Sequence, residues 1–228
     1  MNTYSSPVAH SSAADRASFI RKTYFHVMLA ILAFTGIEVF LFQSGLAPVI
    51  ASAIMSVSWL LVIVGIMLCS WIATRLASSA KSAAVQYAGL GLLVFAYAIM
   101  FVPLLYIVEQ TSGGGTIESA AIATLAGTAG LTAIVFATGA DFSWLGKFLA
   151  IGAIGILALI VCSVLFGFSL GVLFSVGMIV FTCAAILYDT SNILHHYSED
   201  QYVAAALQLF ASVAMLFWYV LSFLNSRD

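Results

Sequence analysis

Apolar residues fall in seven long blocks along the chain, at residues 24–42, 49–73, 83–108, 119–138, 145–168, 170–188 and 202–223. Each block has about the 20 residues that a helix needs to cross a bilayer, and none shows the strict alternation of a barrel strand. The pattern therefore predicts an all-α membrane protein, a seven-transmembrane helix bundle. The breaks carry turn punctuation: Ser44-Gly45-Leu46-Ala47-Pro48, Gly113-Gly114-Gly115, and the tight Gly167-Phe168-Ser169-Leu170-Gly171. A polar head precedes the first block, which divides the chain into a polar cytoplasmic tail at residues 1–23 and a seven-helix transmembrane domain at 24–228. The head lacks the basic patch and short apolar core of a cleaved signal peptide, so the first helix is expected to stay attached. No internal repeat is strong enough to point to an inverted-repeat transporter.

Composition sharpens this reading. Of 228 residues, 63% are hydrophobic and 7% charged, far from the roughly 25% charged residues of soluble domains. Seven crossings nearly exhaust the length, which leaves no room for a separate catalytic domain. The formal net charge is −2, without the basic stripe that nucleic acid requires, so the partners expected are the lipid bilayer and whatever crosses or docks in it. Cys69, Cys162 and Cys183 sit singly inside apolar blocks, in no zinc or disulfide spacing, and read as small buried apolar residues. With the N-terminus inside, Arg16, Arg21, Lys22, Arg75, Lys81 and Lys147 all fall on the cytoplasmic side and only Arg227 falls outside. That asymmetry predicts a multi-pass protein of the cell (inner) membrane, N-terminus cytoplasmic and C-terminus outside.

Candidate chemistry is sparse. Gly167-x-Ser169-x-Gly171 has the spelling of a serine-hydrolase elbow but lies between two helices, on the opposite side of the membrane from His195 and His196. The glycine triplet lacks the Lys and Ser/Thr of a phosphate loop. No catalytic residue is predicted, and the protein is not expected to be an enzyme. Two intramembrane acids, Glu38 and Asp189, are more informative, because a charge in hydrocarbon costs at least ~2.5 kcal/mol and commonly marks a pathway, a partner or a proton. Glu38 shares a helix face with Thr35, and is either functional or merely protonated or snorkelling to the outer headgroups. Ser175, Thr182 and Asp189 recur every seven residues and so form one polar seam. Gln208 and Ser212, four apart on the last helix, are placed to hydrogen-bond Asp189 across the interface. A purely structural polar cluster would use the same residues. His195, His196, Glu199 and Asp200 form either a metal-binding or pH-sensing group, imidazole titrating at about pH 6–7, or an ordinary solvated loop.

Two stretches carry a resemblance. Ala185-Ile186-Leu187-Tyr188-Asp189-Thr190, then Ile193, then Asp200 and Ala205-Ala206-Leu207-Gln208-Leu209-Phe210, resembles the C-terminal signature of the Bax inhibitor-1 family. Asp141-Phe142-Ser143-Trp144-Leu145-Gly146-Lys147-Phe148-Leu149 resembles that family's stretch entering its fifth helix. With the helix count, the likeness spans residues 16–228. It implies six helices around a central seventh and a pH-sensitive calcium leak built on a pair of hydrogen-bonded aspartates. Asp189 matches the first of that pair, and the second falls at Ser212 if one deletion near Ser198 is allowed, so the acidic partner is missing. A lone Asp189 facing Ser212 would titrate without the steepness of a shared proton.

The resemblance makes calcium or another cation the permeant species, passing Asp189, Ser212, Gln208 and Thr182. These offer fewer than the six to eight oxygens calcium prefers, so the ion would be held transiently, with no tightly bound metal and no other cofactor. Two other readings remain open. One is a regulatory protein that binds other membrane proteins, such as a membrane protease. The other is a proton-coupled transporter using Glu38 and Asp189.

Overall fold

The computed structural model describes residues 8–79, 82–112 and 114–226, and among these the chain forms helices without a strand. They are α1 (Ala13–Gln43), α2 (Ala47–Met55), α3 (Trp59–Ala77), α4 (Ala83–Thr111), α5 (Gly114–Thr138), α6 (Leu145–Phe166), α7 (Gly171–His195) and α8 (Tyr202–Asn225). Short 3-10 turns cover Val8–His10 and Glu199–Gln201. Seven helices are long and apolar enough to span a membrane: all but α2.

Three of the departures from the apolar pattern have a clear local reason. The block at 49–73 is broken at Ser56-Val57-Ser58: α2 ends at Met55, the Ser56 hydroxyl donates to the Ala53 carbonyl at 2.7 Å, and Ser58 turns extended before α3. Trp59, the first residue of α3, stacks on Trp218 of α8 with centroids 6.2 Å apart, which fixes where α3 starts. Helix α1 begins at Ala13, within the segment read as tail, where Ser12 caps it by accepting the Asp15 amide at 3.2 Å. Helix α7 runs on to His195 instead of ending near Tyr188, because Thr190, Ser191, Ile193 and Leu194 are buried against the bundle.

Helix α8 is the centre. It packs against α1, α3, α4, α5 and α7, and Ala204, Ala205, Ala206 and Ala214 keep its surface small enough for close approach. Phe210 of α8 and Phe34 and Phe101 of the surrounding helices meet edge to face in the core, with the Phe34 and Phe101 centroids 5.1 Å apart. Helix α6 stands outermost, resting on α7 and α3. Between it and the bundle lies an apolar cavity of about 770 Å³ bordered by Trp59, Ser175 and Tyr219. The closest helix contact is α3 on α4: a side chain at Gly89 would stand 2.6 Å from the Ala73 carbonyl oxygen. Only glycine fits there.

Cross-helix contacts define two ends of the bundle. At one, the Val8 amide donates to the Tyr197 carbonyl at 2.9 Å, His26 of α1 stacks on Tyr87 of α4, and Lys22 lies 5.5 Å over the Tyr202 ring. Arg16, Arg21, Arg75 and Lys147 sit on segments that meet at this basic end. Lys81 and Arg227, used in the charge count, lie outside the described residues, as do Gly113 and the first seven residues of the tail. At the opposite end Thr111 and Ser112 close α4 by donating to Asn225 Oδ1, each at 2.9 Å. The Gly167 and Gly171 turn between α6 and α7 has both glycines at positive φ, 70° and 64°, as a tight reversal between antiparallel spans requires.

Candidate functional site

Asp189 is 3% exposed and lies on the face of α7 that meets α8. The Ser212 hydroxyl of α8 donates to its carboxylate at 2.5 Å. This joins the central helix to its principal neighbour by one short, buried hydrogen bond. Tyr24 of α1 is close enough to feel the Asp189 charge, and its hydroxyl lies beside those of Thr132 of α5 and Thr190 of α7. All three hydroxyl oxygens are buried. Tyr197, in the turn leading to α8, is close enough to feel the Asp189 charge; burial first, and that charge second, push its phenol above the ordinary tyrosine range. Among the described residues no basic side chain is paired with Asp189.

The predicted seam is present but its members do separate things. Ser175, Thr182 and Asp189 are all buried on one face of α7. Thr182, however, donates back to the Met178 and Ile179 carbonyls at 2.8 and 3.0 Å, so it is not a partner of Asp189. Gln208 is exposed and hydrogen-bonds neither Asp189 nor Ser212. Four residues of helix advance about 400°, and that residual turn of about 40° takes Gln208 off the face that Ser212 presents. Cys69, Cys162 and Cys183 are free thiols, half-buried where full burial was expected.

Glu38 occupies the other half of α1, 6% exposed, with both carboxylate oxygens buried and unpartnered. It neither snorkels to the surface nor meets Thr35, whose hydroxyl donates to the Ile31 carbonyl at 2.9 Å. It lines a cavity of about 370 Å³ between α1, α4, α5 and α8, walled by phenyl rings and aliphatic side chains. Thr124 of α5 is in the same wall. From there Thr124, Thr128 and Thr132 follow α5 at four-residue intervals, each hydroxyl buried, those of Thr124 and Thr128 without a hydrogen-bond partner among the described residues and that of Thr132 beside Tyr24. This stripe covers about 12 Å of helix and leads from the Glu38 cavity to the surroundings of Asp189. The four-residue spacing was readable in the sequence, yet threonine is common in membrane helices and nothing there showed which way these faced.

A third arrangement tethers the α5–α6 connection to the end of α7. The Ser191 hydroxyl accepts the Phe142 amide at 2.8 Å and donates to Asp141 at 3.3 Å. Asp141 also accepts the Ser143 amide at 2.9 Å and faces His196 Nε2 at 3.4 Å. The Ser143 amide above all, with His196 adding to it, holds the Asp141 carboxyl down at about 2. The His195, His196, Glu199 and Asp200 group therefore does not gather as one: His196 turns to Asp141, and no set of three metal-ligating side chains exists among the described residues.

Comparison with known proteins agrees with this architecture. The profile of the family described as "Inhibitor of apoptosis-promoting Bax1" matches residues 16–228. An uncharacterized protein of Pseudomonas aeruginosa is 36% identical over 107 residues, covering 46% of this chain and 48% of its own. Protein lifeguard 4 of Mus musculus is 37% identical over 108 residues, covering 46% and 44%, and Bax inhibitor 1 of Schizosaccharomyces pombe is 35% identical over 115 residues, covering 48% and 42%. The matches span about half the length of these relatives. With a match over nearly its whole length and seven spanning helices, of which α8 is the buried centre, the chain belongs to the Bax inhibitor-1 family of multi-pass membrane proteins.

Proposed function

We propose that the protein is a pH-sensitive cation leak, with calcium as the permeant ion, in which Asp189 governs how α7 fits against α8. The observation that carries this reading is the 2.5 Å Ser212–Asp189 contact at the central interface. A carboxyl here can hold the two spans together when it shares a hydrogen bond, and can present an anionic site when ionised and released. The groups placed against it are Ser212, Tyr24 and Tyr197, and no cation among them competes for the charge.

The α5 threonine stripe supports a route. Hydroxyl oxygens with no protein partner are suited to a hydrated ion, since they exchange water contacts for one another at little cost. One carboxylate and scattered hydroxyls hold calcium too loosely to store it, which suits passage. The absence of a second aspartate opposite Asp189 predicts a shallow pH dependence, spread over about two pH units as for a single titrating group. The basic end, on this reading, faces the cytoplasm of a bacterial inner membrane.

Purified protein in liposomes, loaded with a calcium-sensitive dye, tests the proposal at pH 6 and pH 8. Wild type should show flux that changes several-fold between the two, and Asp189→Asn should make it equal at both. Flux that keeps its pH dependence in Asp189→Asn sinks the reading.

A further inference from the structure

The cavity beside Glu38 has a chemistry that the leak does not require. Its wall is almost wholly apolar, with the rings of Phe34, Phe42, Phe210 and Phe217 around it, yet a buried carboxylate with two unpartnered oxygens forms part of that wall. Exposed Glu109 lies at its rim, which brings a second negative charge to the entrance and no positive one. An ionised carboxylate in such a place is costly unless a cation pairs with it.

The nature of that cation follows from the rest of the wall. Calcium needs six to eight oxygens, and besides Glu38 the interior wall offers only the hydroxyls of Thr35 and Thr124. Thr35 already donates to Ile31. Water can meet the carboxylate oxygens but gains nothing from the phenyl and aliphatic walls that make up most of the lining. A cation that carries its own apolar body meets both demands: its charge pairs with Glu38 and its hydrocarbon fills the space between phenyl rings, whose faces attract cations. About 370 Å³ is the size of a small-molecule site.

We propose that the cavity between α1, α4, α5 and α8 is a binding site for a hydrophobic organic amine, with Glu38 as its counter-ion and the phenyl rings as its walls. The inference is independent of the leak reading, because it concerns equilibrium binding and requires no ion to cross.

The test uses two probes of the same shape, 4-phenylbutylamine and 4-phenylbutanol, titrated into the full protein in lipid nanodiscs by calorimetry at pH 7. The amine should bind at least tenfold more tightly than the alcohol. In Glu38→Gln that preference should fall to near parity while the alcohol still binds. Equal binding of the two probes by wild type would overturn the proposal and leave an apolar slot for lipid chains. Retention of the preference in Glu38→Gln would overturn it too. Should Glu38→Gln fail to fold, Ala121→Phe fills the cavity with Glu38 in place: it should lose both probes, and undiminished amine binding by it would place the site elsewhere.

Discussion

Two buried acids share this bundle and are treated in opposite ways. Asp189 is 3% exposed and matched by a hydroxyl from the central helix. Glu38 is 6% exposed and matched by nothing among the described residues. Burial is the same, so burial alone does not distinguish a structural acid from a receptive one. The difference lies in what stands opposite. Asp189 faces α8 across a tight interface, whereas Glu38 faces a cavity. The first is built into the protein's own cohesion, and the second is left for something to come.

That contrast can be broken by stability measurements. The largest effect is expected from Ser212→Ala, which strips the buried carboxylate of its donor and should cost about 1–3 kcal/mol in reversible denaturation from detergent micelles. Glu38→Leu should go the other way, gaining up to ~2 kcal/mol, since it replaces an unpartnered polar group by an apolar one. If both substitutions destabilise alike, the two acids play one role and the distinction fails. Thr128→Val, midway along the stripe, sharpens the comparison in a different assay. It should change stability by less than about 0.5 kcal/mol and lower calcium flux several-fold, whereas a stripe that only packs would leave flux untouched.

The smallest effect concerns the tether at the end of α7. Asp141 sits at about 2 in the folded protein, below the ordinary aspartate value of about 3.9, so its contribution is fully present above pH 4 and is lost as pH falls through 2. Protection of the Phe142 and Ser143 amides, taken relative to the intrinsic exchange rate at each pH, should therefore fall modestly between pH 4 and 2. Asp141→Asn should show the same loss of protection already at pH 7. Since the carboxylate is solvent-exposed, only the loop should respond.

How much of this was legible beforehand depends on the kind of signal. Span positions came through because length and hydropathy are properties of the segment itself. The α2–α3 break did not, since serines inside an apolar block do not by themselves end a helix and the Trp59–Trp218 stack that fixes the start of α3 is a tertiary contact. Likewise α7 continues past Tyr188 only because Ile193 and Leu194 find a packed surface. In the site, Asp189 and Ser212 were paired correctly from helical phase and the family resemblance, while Gln208, on the same reasoning, was not. Helical phase locates a face to within tens of degrees, and a hydrogen bond demands more than that. Thr182 was placed on the right face but its hydroxyl was satisfied by its own helix. Tyr24 and the α5 threonines were not legible, because what matters in them is which way their buried hydroxyls face, and only three-dimensional packing reveals that.

The bond from the Val8 amide to the Tyr197 carbonyl has a consequence for biogenesis. A ribosome releases residue 8 long before residue 197 exists, so this segment cannot dock until six spans have been threaded and the turn into the last has emerged. Val8, fully enclosed in the finished molecule, is therefore solvent-accessible throughout synthesis. Its sequestration from a protease or thiol-labelling probe placed at that position would report the moment when the final span settles among the others.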